Sequence, residues 1–129
     1  MIIYVAGASA EPERVRYAMD EVVANGWVLA QDWLKDIQLE GSANHVTEEK
    51  RAHYAQVDLK AVARSDVFWL LAPKERTSGA WVEFGAALVR EDVVVVVSGP
   101  FEQSIFCSLA DKEFSDDRDV LKWLELGRG

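Results

Sequence analysis

Apolar runs and helical stripes alternate along this chain. Ile2-Ile3-Tyr4-Val5-Ala6, closed by Gly7, is an uncharged, β-branched run, the pattern of a strand covered on both faces of a parallel sheet. Glu11-Pro12-Glu13 then sets acids and a proline where a helix begins, and Val15, Ala18, Met19, Val22 and Val23 recur at helical spacing until Asn25-Gly26 closes the segment. Trp27-Val28-Leu29-Ala30 reads as a second short strand, and the mixed stretch from Gln31 to Asn44 as a loop whose length suggests a function. Val46, Tyr54, Val57, Ala61 and Val62 mark one face of a helix over 46–63. Ser65-Asp66 then introduces the strand Val67-Phe68-Trp69-Leu70-Leu71, which Pro73 ends. A helix from about Ser78 to Arg90, the strand Val93-Val94-Val95-Val96-Val97 and an amphipathic tail helix over 116–126 complete the pattern, the last with Val120, Leu121, Trp123 and Leu124 inward.

This alternation predicts an α/β fold, an open, mainly parallel five-stranded sheet with helices on both faces in a flavodoxin- or Rossmann-like sandwich, four of whose strands the runs locate. Ligands of such folds sit beyond the carboxyl ends of the strands, here the loops after Ala6, Ala30, Leu71 and Val97. The 129 residues suffice for one domain, expected over 1–129. A net charge of -8 repels a nucleic-acid duplex or a membrane surface, so neither is an expected partner. Cys107, alone, has no internal disulfide partner, and His45 and His53 lack metal-site spacing and read as surface residues. No metal and no cofactor is expected. The short apolar start lacks a basic residue before it, which predicts an untargeted, cytoplasmic protein.

Two acids stand out against this pattern. Glu83 is the one ionisable side chain between Ser78 and Val89, and its helical neighbours Gly79, Ala80, Ala86 and Ala87 leave space above the carboxylate. A helix apolar nearly all round gives a charge few exits to solvent, which disfavours a merely solvated Glu. Asp58 lies within the apolar stripe of its own helix, where it reads equally as a hydrogen-bonded structural carboxylate. Two such carboxylates from different helices suit glycosidic-bond chemistry, one attacking the anomeric carbon and the other handling the leaving-group proton.

Ile3-Tyr4-Val5-Ala6-Gly7, then Gln56-Val57-Asp58-Leu59 with Ser65-Asp66-Val67, then Ser78-Gly79-Ala80-Trp81-Val82-Glu83-Phe84-Gly85-Ala86-Ala87 run in order over most of the chain. Together they resemble the nucleoside 2-deoxyribosyltransferase family and its relatives, the nucleoside 5'-monophosphate N-glycosidases. The resemblance implies that Glu83 is a nucleophile forming a glycosyl ester, that Asp58 assists proton transfer and that Tyr4 orients the nucleophile. Gly7 and Gly79, at the ends of the first and last of these motifs, are counted with the substrate-binding residues.

Transferases of free nucleosides usually carry an acid six residues before the nucleophile, where this chain has Thr77 followed by Ser78. Hydroxyls at a helix N-terminus welcome a phosphate that an acid would repel. Ser9, Ser78 and Ser104 are therefore the phosphate candidates, each with a cap or turn as its plain alternative. The segment Ser104-Ile105-Phe106 resembles the stretch that family members insert across a dimer interface, implying a homodimer or higher homo-oligomer. Trp33 and Asp32 follow the second strand, where the resemblance puts the nucleobase, Trp33 to stack on the ring and Asp32 to accept from an exocyclic amine. The reading is hydrolysis of a nucleoside or deoxynucleoside 5'-monophosphate. Base exchange between nucleosides, cleavage of the nicotinamide bond of a dinucleotide and a non-catalytic nucleotide sensor are the alternatives.

Overall fold

The computed structural model describes residues 1–40, 46–99 and 104–127. Five strands, β1 (Ile2–Ala6), β2 (Val28–Leu29), β3 (Val67–Leu71), β4 (Val94–Ser98) and β5 (Lys112–Phe114), form one sheet in the order β2-β1-β3-β4-β5 with every neighbouring pair parallel. Helices α1 (Pro12–Ala24), α2 (Trp33–Glu40), α3 (Glu48–Ala63), α4 (Gly79–Leu88) and α5 (Asp117–Gly127) connect or follow them. The fold is α/β, as the alternation of runs and stripes predicts.

Two elements depart from the pattern reading. The stretch read as a loop from Gln31 to Asn44 contains α2, a helix of 8 residues, and Gly41 to Asn44 lie outside the described residues, as does His45. The fifth strand is Lys-Glu-Phe, whose polar residues face solvent at a sheet edge and so lack an apolar run. The helix expected from Val46 starts at Glu48, because Thr47 Oγ1 accepts from Lys50 N at 3.2 Å and caps it.

The winding reverses at β1. The chain leaves β1 towards β2 on one side and then crosses back over β1 to reach β3, so right-handed crossovers put α1 on one face and α3 and α4 on the other. Contacts of α1 with α5, and of α3 with α4, agree with this. Alternation along β3 divides the core in the same way. Phe68 stacks on Tyr4 at 5.6 Å between ring centroids and meets Phe84 of α4 at 6.3 Å. Its neighbour Trp69 faces the other way and donates from Nε1 to Ser98 Oγ at 2.7 Å, which in turn donates to Asp117 Oδ1 of α5 at 2.6 Å. Among the described residues no helix is long and apolar enough to cross a membrane.

Candidate active site

Tyr4 leaves the middle of β1 on the face covered by α4, fully buried against Phe68. Its hydroxyl donates a hydrogen bond to Glu83 Oε2, across 79 positions of sequence. Glu83 is mostly enclosed at the middle of α4, whose Ala80, Phe84 and Ala87 are buried. Burial lifts the Glu83 carboxyl to about 7, the Tyr4 hydrogen bond pulling it down and the Asp58 charge pushing it up. Burial, followed by the charges of Glu83 and Asp58, holds the Tyr4 phenol well above its usual range, so it stays a donor. Asp58, on α3, is half-buried, and burial with the added charge of Asp36 lifts its carboxyl to about 6. A phenol and two carboxyls from three elements thus form one electrostatic group on one face of the sheet.

Asp58 also reaches a cleft of about 460 Å³ between α2 and α3. Trp33, Ile37, Val46 and Tyr54 give the cleft apolar and aromatic walls, while Asp36, Glu40 and Arg51 add charge. A buried or half-enclosed carboxylate held by a phenol, next to an aromatic cleft with a second raised acid, is an arrangement for attack at carbon with proton delivery to a leaving group.

Solved structures share this fold, two of them as follows. The 2-deoxyribosyltransferase of Bacillus psychrosaccharolyticus superposes with a TM-score of 0.72 at 19% identity, over 94% of this chain and 90% of that one. The CMP N-glycosidase BcmB of Clostridium botulinum superposes with a TM-score of 0.59 at 11% identity, over 97% of this chain and 99% of that one. No protein-family model matches the chain, and no curated protein matches it in sequence. These two neighbours are of the same two kinds as the proteins that the sequence motifs resemble.

The remaining candidates divide by position. Ser78 stands at the N-cap of α4, exposed, with no capping bond from its side chain, and Thr77 before it is half-buried. Ser9 is exposed in the loop after β1. Gly7 is buried where a Cβ would meet Val15 Cγ2 at 3.0 Å and Leu71 Cδ1 at 3.4 Å, whereas a Cβ on Gly79 meets nothing within 4 Å. The space beside Gly79 is open, whereas Gly7 is tightly packed against α1 and β3.

Trp33 is buried and fixed by donation from Nε1 to Val5 O at 2.7 Å, so its ring is a wall of the cleft with a set orientation. Asp32 does not line the cleft. Its oxygens accept from Arg16 Nη1 and Nη2, both at 2.9 Å, and Oδ1 accepts from Lys35 N at 3.0 Å at the start of α2. Burial alone would raise the Asp32 carboxyl, and the Arg16 pair more than reverses this and sets it below the usual range. Ser104 Oγ accepts from Phe106 N at 3.1 Å, and Phe106 lies exposed over a second hollow, of about 440 Å³, formed with Trp81, Phe84 and Leu88.

Sequence reasoning missed Asp36. It lies in the stretch read as a loop, yet Asp32 followed by Trp33, Leu34 and Ile37 is a cap followed by an apolar stripe, a signal that would have found α2 and placed Asp36 beside the cleft.

Proposed function

We propose that the protein hydrolyses the N-glycosidic bond of a nucleoside or deoxynucleoside 5'-monophosphate, releasing free base and sugar phosphate. The observation that carries this is the enclosed Glu83 carboxylate held by the Tyr4 hydroxyl, with Asp58 beside them. The ionised Glu83 attacks the anomeric carbon, and the bonding pair of the C–N bond passes to the base as Asp58 gives it a proton. Water then attacks the glycosyl ester, frees Glu83 and returns a proton to Asp58, so the site is restored after each turnover. Tyr4 keeps one nucleophile oxygen aligned and sheds no proton of its own.

The 5'-phosphate would sit at the N-terminus of α4, where the first backbone N–H groups have no acceptor within the helix, with the hydroxyls of Thr77, Ser78 and Ser9 around it. Ser104 and Phe106 of a second copy would close the site in a homodimer. Base exchange uses the same residues with a second base in place of water, and the likeness to the deoxyribosyltransferase supports it.

Incubation with a panel of nucleoside monophosphates and nucleosides, followed by chromatography for free base with and without an added acceptor base, separates the two. Hydrolysis releases base and sugar phosphate from monophosphates without acceptor; turnover only with acceptor would establish exchange. Glu83→Ala should abolish turnover in a folded protein. Retention of more than about a tenth of the activity, which is only about 1.4 kcal/mol of barrier, would remove Glu83 as nucleophile. Thr77→Asp should lower kcat/KM for a monophosphate far more than for its nucleoside; an equal loss would leave Thr77 no part in phosphate binding.

A further inference from the structure

Ser9 and Thr77, hydroxyls of two different loops, are linked through one residue, Glu11. The backbone N–H of Glu11 donates to Ala8 O at 3.0 Å and closes the turn that presents Ser9. Its side chain is only 10% exposed, and both carboxylate oxygens have partners. Oε2 accepts from the backbone N–H of Lys74 at 3.0 Å, three positions before Thr77 in the loop that leads from β3 into α4. Oε1 accepts from Arg14 Nη1 at 3.1 Å. Glu11 therefore holds one loop with its backbone and the other with its carboxylate.

Arg14 stands beside these loops, where a guanidinium is ordinarily a phosphate ligand. Its donors are already committed. Nε and Nη2 donate to Asp117 at 2.8 and 3.0 Å, Nη1 donates to Glu11 and to Ala72 O at 2.8 Å, and Nη2 also approaches Ser98 O at 3.5 Å. The five N–H groups of the guanidinium are all aimed at fixed protein acceptors. Arg14 thus neutralises Glu11 and keeps its carboxylate in place for Lys74. The phosphate seat of Ser9, Thr77, Ser78 and the start of α4 is then one of hydroxyls and backbone N–H groups. Such a seat loses more from misalignment than an ionic one, because a hydrogen bond weakens steeply with angle whereas a charge acts in all directions.

We propose that Glu11 is a positioning residue for recognition of the 5'-phosphate, holding the Ser9 turn and the Thr77 loop at the separation that a phosphate spans. That the ligand is a phosphate rests on the glycosidase reading; the coupling of the two loops rests on the geometry of Glu11. Removing this carboxylate should weaken phosphate binding even though it takes a negative charge away from an anion. Coulomb interaction alone gives the opposite sign.

Glu11→Gln keeps the size of the side chain but has one acceptor oxygen, so it serves Lys74 or Arg14 and not both. Glu11→Asp keeps the charge beside Arg14 and shortens the arm, which gives up the reach to Lys74. Calorimetry of ribose 5-phosphate binding to the native protein and to both variants, with thermal melts alongside, reads the effect without turnover. Each variant should bind about tenfold more weakly, the scale of one lost hydrogen bond. In turnover, kcat/KM for a monophosphate should fall far more than for its nucleoside. Unchanged or tighter binding in a folded Glu11→Gln, an equal loss for monophosphate and nucleoside, or no binding of ribose 5-phosphate to the native protein would overturn the proposal. Failure of both variants to fold would make Glu11 a residue of stability alone and overturn it as well. Turnover of monophosphates without the selective loss would overturn it and leave the glycosidase reading standing, whereas ribose 5-phosphate binding that both variants weaken, in a protein that turns over nothing, would do the reverse.

Discussion

A glutamate placed among alanines and aromatic rings is held at a cost. The folded Glu83 titrates at about 7 against an ordinary 4.5, so between those values the folded protein binds a proton that the unfolded chain does not. The stability this gives is fully present below about pH 4.5 and is lost as pH rises through about 7, a difference of roughly 3 kcal/mol. Glu83→Gln, which keeps the shape and never ionises, escapes the loss. Thermal melts at pH 4.5 and pH 8 should show the variant level with the native protein at the lower pH and higher by roughly 10 °C at the upper. The same titration shapes activity. A reaction that needs Glu83 ionised and Asp58 protonated should give a bell-shaped dependence of kcat/KM on pH with its top between about 6 and 7, the limbs belonging to the pair. Tyr4→Phe removes the hydrogen bond that lowers Glu83, so less of the enzyme is productive at the top and the alkaline limb moves up; a pH profile of the variant checks both.

At the level of elements, Arg14 ties the carboxyl ends of the strands together from the face opposite the carboxyls. From α1 its guanidinium reaches Asp117 of α5 at 2.8 and 3.0 Å, Glu11 at 3.1 Å and the carbonyl of Ala72 after β3 at 2.8 Å. Glu11 in turn accepts from the backbone N–H of Lys74 at 3.0 Å, so the loops after β1 and β3 share one clamp. Gly99, after β4, has φ +110°, a conformation that side chains rarely adopt, and a Cβ there would stand 3.0 Å from Arg14 Nη2 and press on the clamp. Arg14→Ala leaves Asp117 and Glu11 without their cation in a mostly enclosed place and should cost roughly 3 kcal/mol, read as a lower urea midpoint with an unchanged slope. The clamp fixes the loop that carries Ser9 relative to the strand end that precedes Thr77. A helix such as α2, only two turns long, shows that short elements depend on such tertiary anchors, here Trp33 on Val5 and Asp32 on Arg16.

Over the whole molecule the outer side of α4 and the short 3-10 turn Ile105–Leu109 expose a run of large apolar side chains. Val82, Val89, Ile105, Phe106 and Leu109 are each more than half exposed and lie on these two neighbouring segments or at their ends. Exposed apolar side chains gathered in this way are ordinarily covered by a partner, and the proposed homodimer would cover them while bringing Ser104 and Phe106 to a second active site. Light scattering should give twice the 14.4 kDa of the chain at micromolar concentration. Val82→Glu, on the exposed side of α4, should give a folded monomer of much reduced turnover. A native protein that is monomeric would remove the second copy from the site.

The sequence by itself determined what depends on periodicity and on local contradiction. The runs at Ile2 to Ala6, Val67 to Leu71 and Val93 to Val97 are continuous because both faces of those strands are covered, Val94 at the start of β4 excepted, and a covered parallel sheet follows from that. Glu83 was visible because a lone charge on an apolar helix violates the pattern of its surroundings, and Asp58 because it falls within the apolar stripe of an otherwise charged helix. Only the tertiary structure decided what these acids meet. Tyr4 reaches Glu83 because the crossover from β3 carries α4 over β1, and Asp36 faces Asp58 because α2 packs beside α3, relations that no local spacing encodes. It also decided that both oxygens of Asp32 are taken by Arg16, a pairing across helices that leaves no mark on the sequence around either residue. Periodicity records which side of an element is buried, whereas the identity of the neighbour on that side is a property of the topology.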